Sequence, residues 1–156
     1  MIYWDNNATT PLAPEVLEAM LPYLRENFYN PSAAYAAGKA VRKAIDHARE
    51  QVAALVGADA SEIIFTSGGT EASNAALAQF RHVLTLATEH PATLRTARGE
   101  ASPVLSNGMA DLPEWRELLP GHDGASFAWA NHETGAIQPV RSLARAAKET
   151  GARVHV

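Results

Sequence analysis

No cysteine occurs among the 156 residues. A disulfide framework, thiolate metal sites and a cysteine nucleophile are therefore excluded within this segment. Long apolar runs are missing as well, and none approaches the length needed to cross a bilayer. Residues 1–7 hold Asp5 and the amides Asn6 and Asn7 where a signal peptide has a basic region and then an apolar one. There is no basic run either, and the formal net charge is −4. That argues against nucleic acid, whose phosphates demand a clustered positive surface. His82, His90, His122, His132 and His155 show no ligand spacing such as a helical i, i+4 pair, so no metal site is expected. What remains is a soluble, globular balance, 47% hydrophobic and 19% charged. The length suffices for one ordinary domain with a core. A cytoplasmic location is expected, with neither membrane nor nucleic acid as partner.

The first half of the chain reads as helical. Pro14 and Glu15 suit a first turn, and Val16, Leu17, Met20, Leu21 and Leu24 then recur on one face. Pro22 interrupts that face and is a candidate kink. Asn30-Pro31-Ser32 reads as a turn ending in a helix cap. A longer helix follows, with Val41, Ile45, Ala48, Val52 and Leu55 as a core stripe and Gly57 as its stop.

Beyond Gly57 the period changes. Ile63 to Thr66, Val83 to Ala87, Pro103 to Leu105, Ser126 to Ala130 and Arg153 to Val156 read as strands. Helical stretches alternate with them at Thr70 to Phe80, Pro91 to Arg98, Leu112 to Leu119 and Arg141 to Thr150, the last with Leu143, Ala146 and Ala147 inward. This alternation predicts an α/β domain with a mostly parallel sheet and flanking helices. Ligands in such sheets sit beyond the carboxyl ends of the strands. Three loops at those ends are rich in hydrogen-bonding groups: Ser67 to Thr70, Thr88 to His90, and Asn131 to Gly135.

Each loop has two readings on its residues alone. Ser67-Gly68-Gly69-Thr70-Glu71 suits a phosphate, because glycines admit close approach and free N–H groups gather at a helix start. It equally suits a tight strand-to-helix turn. It is neither a Walker loop, which needs a lysine, nor the dinucleotide fingerprint. His90 can stack on a planar group or move protons, or simply cap a helix. Asn131 can hold a ring oxygen or a carboxylate, or close an Asx-turn. The polar cluster Asp5 to Thr10 can equally be a capped arm.

Taken in order, the segments resemble a known family. Tyr3-Trp4-Asp5-Asn6-Asn7-Ala8-Thr9-Thr10-Pro11 is similar to the opening motif of cysteine desulfurases of the NifS and IscS type. Asn30-Pro31-Ser32, Gly38 and Ala48-Arg49 fit the following segment, and Ile63 to Asn74 resembles the family's phosphate-loop segment. Glu89-His90-Pro91 and Asn131 to Pro139 complete a resemblance that runs over the whole chain. It implies a partial large domain of the fold-type-I pyridoxal-phosphate transferases, at 31–156, preceded by an N-terminal arm and first helix at 1–30. It implies pyridoxal 5'-phosphate as cofactor, with Gly69 and Thr70 on the phosphate and His90 stacked on the ring and assisting proton transfer. Asn131 would contact the ring hydroxyl and the substrate carboxylate, and Asn7 the substrate. The implied reaction moves sulfur from L-cysteine to a persulfide, releases alanine and serves iron–sulfur cluster assembly or another acceptor protein. Family members are usually homodimers. Selenocysteine lyases and other class V aminotransferase-like enzymes are the nearest alternatives. A non-catalytic assembly module is the alternative of another class.

The chain also departs from the family pattern. The aspartate that pairs with the ring nitrogen would come directly after Val156, and the cofactor lysine and the sulfur-carrying cysteine later still. Lys39, Lys43 and Lys148 match no such motif. The middle is spare between Asn74 and Glu89 and between His90 and Asn131. The segment alone is therefore expected to hold part of a cofactor without running its chemistry. Val154 and Val156 would begin an interior strand lacking a neighbour, and an unpaired apolar edge invites association. Residues 1–156 alone are expected to be poorly soluble or to need a complementary chain. Light scattering and thermal melting check this, and a monodisperse, cooperatively melting monomer is the contrary result.

Overall fold

Pro14 opens the first helix, α1 (Pro14–Arg25), with Glu15 in the first turn and Arg25 in the last, as the helix dipole favours. Pro22 lies inside α1, and its carbonyl accepts from both Glu26 N–H and Asn27 N–H as the helix ends. The computed structural model describes residues 2–156; Met1, part of the expected arm 1–30, lies outside the described residues. The chain divides into two compact units, one ending at Phe65 and one spanning Thr66–Val156.

The first unit also holds α2 (Ala36–Val56) and a 3-10 turn at Ala60–Glu62. Gly57 ends α2 in the left-handed region, φ 69°, where a side chain is disfavoured. Ser32 N–H donates to Asn30 Oδ1 at 2.9 Å, so the expected turn forms. Ser32 does not cap the helix, however: α2 begins after Tyr35, which gives no side-chain cap bond. The expected core stripe of α2 is a second correction. Only Gly38 and Ala53 of this helix are buried. Val41, Ile45 and Ala48 instead line an open apolar groove of about 450 Å³ with Ala19 and Tyr23 of α1. Two helices and one turn supply too few apolar partners to close over it.

The expected strand at Ile63 to Thr66 is also absent. Ile63 is extended, φ −92° and ψ 122°, but its carbonyl accepts from Arg49 Nε at 3.2 Å instead of from a neighbouring strand. The Arg49 guanidinium lies 5.5 Å from the centre of the Phe65 ring.

The second unit is built on α3 (Gly69–Leu77), β1 (Val83–Leu86), α4 (Pro91–Leu94), β2 (Ala101–Ser102), α5 (Leu112–Leu118), β3 (Gly124–Ser126), α6 (Val140–Glu149) and β4 (Arg153–His155). Its four strands form one sheet in the order β2-β1-β3-β4, and every pairing is parallel. The strand expected at Pro103 to Leu105 lies earlier, at Ala101–Ser102, leaving Val104 with an isolated bridge to Ala110. Likewise β3 starts at Gly124 and stops at Ser126, before most of the expected run.

Alternation along the strands sorts the two faces. Leu84, Leu86, Ala125 and Phe127 join Trp115, Leu119, Leu143, Ala146 and Ala147 in the main core, so α5 and α6 cover that face. Val83 packs instead with Leu77 and Phe80. Phe80 fits only because Gly124 has no side chain, since a Cβ there would lie 2.7 Å from Phe80 Cγ. Trp115 is the largest fully buried side chain; it meets Phe127 edge-on, with ring centroids 5.7 Å apart, and its Nε1–H donates to the Leu143 carbonyl at 3.4 Å. Trp115→Ala is expected to destabilise the fold by about 3–5 kcal/mol, measured by urea denaturation. A loss below about 1 kcal/mol would place the core elsewhere.

Candidate functional site

The start of α3 and the residues that follow the carboxyl end of β1 form the candidate site, and the loop after β3 is hydrogen-bonded to the latter. Gly68 precedes α3, and the helix makes its first internal bond from Ala72 N–H to the Gly68 carbonyl, 3.1 Å. The N–H groups of Gly69, Thr70 and Glu71 therefore lie ahead of the first helical bond, at the positive end of the dipole. A side chain added at Gly68 or Gly69 would meet nothing within 4 Å. The Glu71 carboxylate turns back onto Ser67, accepting from its N–H at 2.7 Å and from its hydroxyl at 2.5 Å. Those two bonds, the hydroxyl one first, hold the Glu71 pKa below the usual carboxylate value.

A cleft of about 370 Å³ opens at this helix start, lined by Gly69, Thr70, Ser73, His90, Ala92 and Thr93. Hydroxyls, an imidazole and helix N–H groups furnish its polar lining, and no carboxylate is among the lining residues. That donor set fits an anion such as a phosphate ester.

His90 is exposed and caps α4: its Nδ1 accepts from Ala92 N–H at 3.0 Å. The proton of the neutral ring is thereby assigned to Nε2. His90 thus caps a helix and lines the cleft at once. Its ring centroid lies 5.4 Å from that of His132, tilted by 53°.

Asn131 is buried, 5% exposed. Its Oδ1 accepts from Glu133 N–H (3.0 Å), Thr134 N–H (2.7 Å) and the Thr134 hydroxyl (3.0 Å), which closes the Asx-turn. Its Nδ2 donates to the Thr88 carbonyl at 2.7 Å. One amide hydrogen remains beyond that bond, because the side chain carries two.

The structure brings Gly69, Thr70 and His90 to one cleft, and ties Asn131 to the loop that carries His90. Asn7 belongs to the first unit, inside a turn in which the Asp5 carbonyl accepts from Ala8 N–H and Thr9 N–H. Ser73 and Thr93 line the cleft without having been singled out by the sequence. Helical spacing from Thr70 points to Ser73, three residues on. Glu89 carries no role in the sequence reading, yet it is buried at 9% exposure and its Oε1 accepts from Ala128 N–H at 2.8 Å.

Burial pushes the Glu89 carboxyl above its usual range; the Ala128 N–H and nearby His132 draw it partly back. Folding thus favours its neutral form. The associated stability is complete below the ordinary carboxylate range and is lost as pH rises through the raised value. Glu89→Gln keeps an oxygen acceptor without the charge. At pH 7 it is expected to leave stability unchanged or raise it by up to about 1 kcal/mol. That difference shrinks toward pH 4 in urea titrations. A large loss at pH 7 would show that the charge itself is stabilising.

A family model described as "Aminotransferase class-V" matches residues 2–156. The cysteine desulfurase of Trichormus azollae is 43% identical over 172 aligned positions, covering 100% of this chain and 43% of the relative. The alignment is longer than the chain, so the relative has positions that this chain lacks. The chain thus spans less than half the length of the curated relatives it matches. Among solved structures, a NifS-like protein superimposes with a TM-score of 0.92 at 35% identity, covering 99% of this chain and 48% of that one. The structure titled SspA in complex with cysteine gives 0.89 at 30% identity, with 98% and 49% covered. The chain belongs to the class-V aminotransferase family, and curated relatives 40–43% identical to it are cysteine desulfurases.

Proposed function

We propose that this chain supplies the phosphate-binding and ring-facing wall of a pyridoxal-phosphate cysteine desulfurase. The observation that carries the reading is the carboxylate-free cleft at the start of α3, where Gly69, Thr70 and His90 meet. The N–H groups of Gly69 and Thr70, with the Thr70 hydroxyl, would hold the phosphate. Its charge is favoured there by the helix dipole. His90 would face the pyridine ring. Because Nδ1 accepts from Ala92 N–H, the neutral ring would present Nε2–H as a donor, and taking up a proton would require Nδ1 to leave the Ala92 bond. Asn131, locked by four hydrogen bonds, would offer its remaining amide hydrogen to the ring hydroxyl or a substrate carboxylate. Asn7 is assigned to the substrate on the family resemblance. When bound, pyridoxal phosphate supplies an electron sink for bond cleavage next to an amine.

On this reading L-cysteine is the substrate, sulfur leaves by way of a persulfide to an acceptor protein of iron–sulfur assembly or a similar pathway, and alanine is released. The whole protein would work as a cytoplasmic homodimer, with residues 31–156 belonging to its large domain. The 156 residues themselves would bind without turning over. They contain no cysteine, and Lys148, the one lysine of the second unit, lies exposed on α6 and does not line the cleft.

Titration of the 156-residue chain with pyridoxine 5'-phosphate tests this, since that analogue lacks the reactive aldehyde. Amide shifts are expected at Gly69, Thr70 and His90, reversed by inorganic phosphate. Thr70→Ala should weaken binding by about three- to tenfold, the worth of one hydrogen bond. Equal binding of unphosphorylated pyridoxine would sink the phosphate assignment, and alanine formed from L-cysteine by this chain alone would sink the separation of binding from turnover.

A further inference from the structure

Among the described residues Glu89 is the only buried one with an ionisable side chain. A buried carboxylate costs several kcal/mol of desolvation unless it is well bonded, and an apolar side chain would fill the same space without that cost. The geometry indicates what the carboxylate does. The ladder between β1 and β3 ends at Thr85 and Ser126. Beyond that pair, two side chains take over the pairing in opposite senses. Glu89, on the loop after β1, accepts from Ala128 N–H on the loop after β3 at 2.8 Å. Asn131, on the second loop, donates back to the Thr88 carbonyl of the first at 2.7 Å. Each loop sends one side chain to the other's backbone. His90 follows Glu89 directly, and His132 follows Asn131 directly, so both imidazoles are carried by the two anchored positions.

We infer that Glu89 is a positioning residue: by holding the Ala128 amide it fixes the His90 ring beside the Asn131–His132 turn and so sets the ring-facing wall of the cleft. That this wall serves a cofactor rests on the function proposed above; the positioning itself does not. Glu89 touches no ligand and acts through His90 and Asn131. The acceptor oxygen is what matters, so Glu89→Gln should preserve the role. Glu89→Asp, one methylene shorter with its charge kept, should lose it, as should Glu89→Ala.

The test has two arms on the 156-residue chain. In the first, nuclear Overhauser contacts between the His90 and His132 ring protons are recorded without ligand. They are expected in the wild type and in Glu89→Gln, and lost in Glu89→Asp and Glu89→Ala. In the second, pyridoxine 5'-phosphate affinity should stay within about twofold in Glu89→Gln and fall about tenfold in the other two, the worth of one hydrogen bond. Should Glu89→Ala not fold, the Asp and Gln variants decide the matter. A folded Glu89→Asp with the ring contact intact overturns the inference, and so does a Glu89→Gln chain that has lost it. If the wild type does not bind the analogue, the cofactor reading falls while the ring contacts still decide the positioning role.

Discussion

Parallel pairing of β1 with β3, in the register that sets Val83 opposite Gly124, is the constraint from which the site follows. Parallel strands send their carboxyl ends the same way, so the loops carrying His90 and Asn131 leave the sheet side by side. A slip of one residue would exchange the faces of every side chain in β3. Ala125 would leave the main core, and the Phe80 ring would meet a methyl group where Gly124 now leaves room. The register is also pinned at the opposite end. The Asp123 carboxylate accepts from Arg81 N–H and His82 N–H, 2.8–3.0 Å, just ahead of β1. Those same amides hold its pKa below the usual value. A carboxylate thus holds a backbone amide at each end of the β1–β3 pair, Asp123 before the strands and Glu89 after them.

The two carboxylates sit in opposite environments. Asp123 accepts its amides at the surface, and the bonds outweigh the slight desolvation, so its ionised form is favoured. Glu89 is buried, and desolvation outweighs its single amide bond and the attraction of His132. The first tie is therefore nearly free of electrostatic cost, while the second is held against one. A costly bond beside the cleft and an inexpensive one away from it is the distribution expected where precision of placement matters more than net stability.

Much of this was legible in the sequence because the relevant signals are local. Gly57 after an apolar-periodic run stops α2; Leu143, Ala146 and Ala147 at helical spacing give the inward face of α6. The strand-end rule holds for His90 and Asn131, while Gly69 and Thr70 lie after an expected strand that is absent and were legible only as a glycine-rich helix start; three of the four line the cleft. The errors are nonlocal. Ile63 to Phe65 has every property of a strand except a neighbour, and whether a neighbour exists is not written in the run itself. The α2 stripe has the right period, but the first unit has too little apolar partner surface to bury it. Glu89 escaped because its role depends on Ala128, thirty-nine residues away, and no periodicity encodes that distance. The cap made by His90 and the Asx-turn made by Asn131 are compatible with the ligand roles proposed for them: the bonds that form them hold the two side chains in place.

That compatibility bears on how such a site is built. A side chain with spare hydrogen-bonding capacity can be fixed by some of its atoms and act through the rest. His90 uses Nδ1 for the cap and leaves Nε2; Asn131 uses Oδ1 and one amide hydrogen and leaves the other. Glu71 goes the other way, with its Oε2 taken by the Ser67 N–H and hydroxyl just ahead of α3, and it is not among the residues that line the cleft. Donors are thus left available at the cleft, and no carboxylate lines it. This polarity suits holding an anionic ligand. On the proposed reading, binding would depend on amides, hydroxyls and imidazole already in place in the second unit.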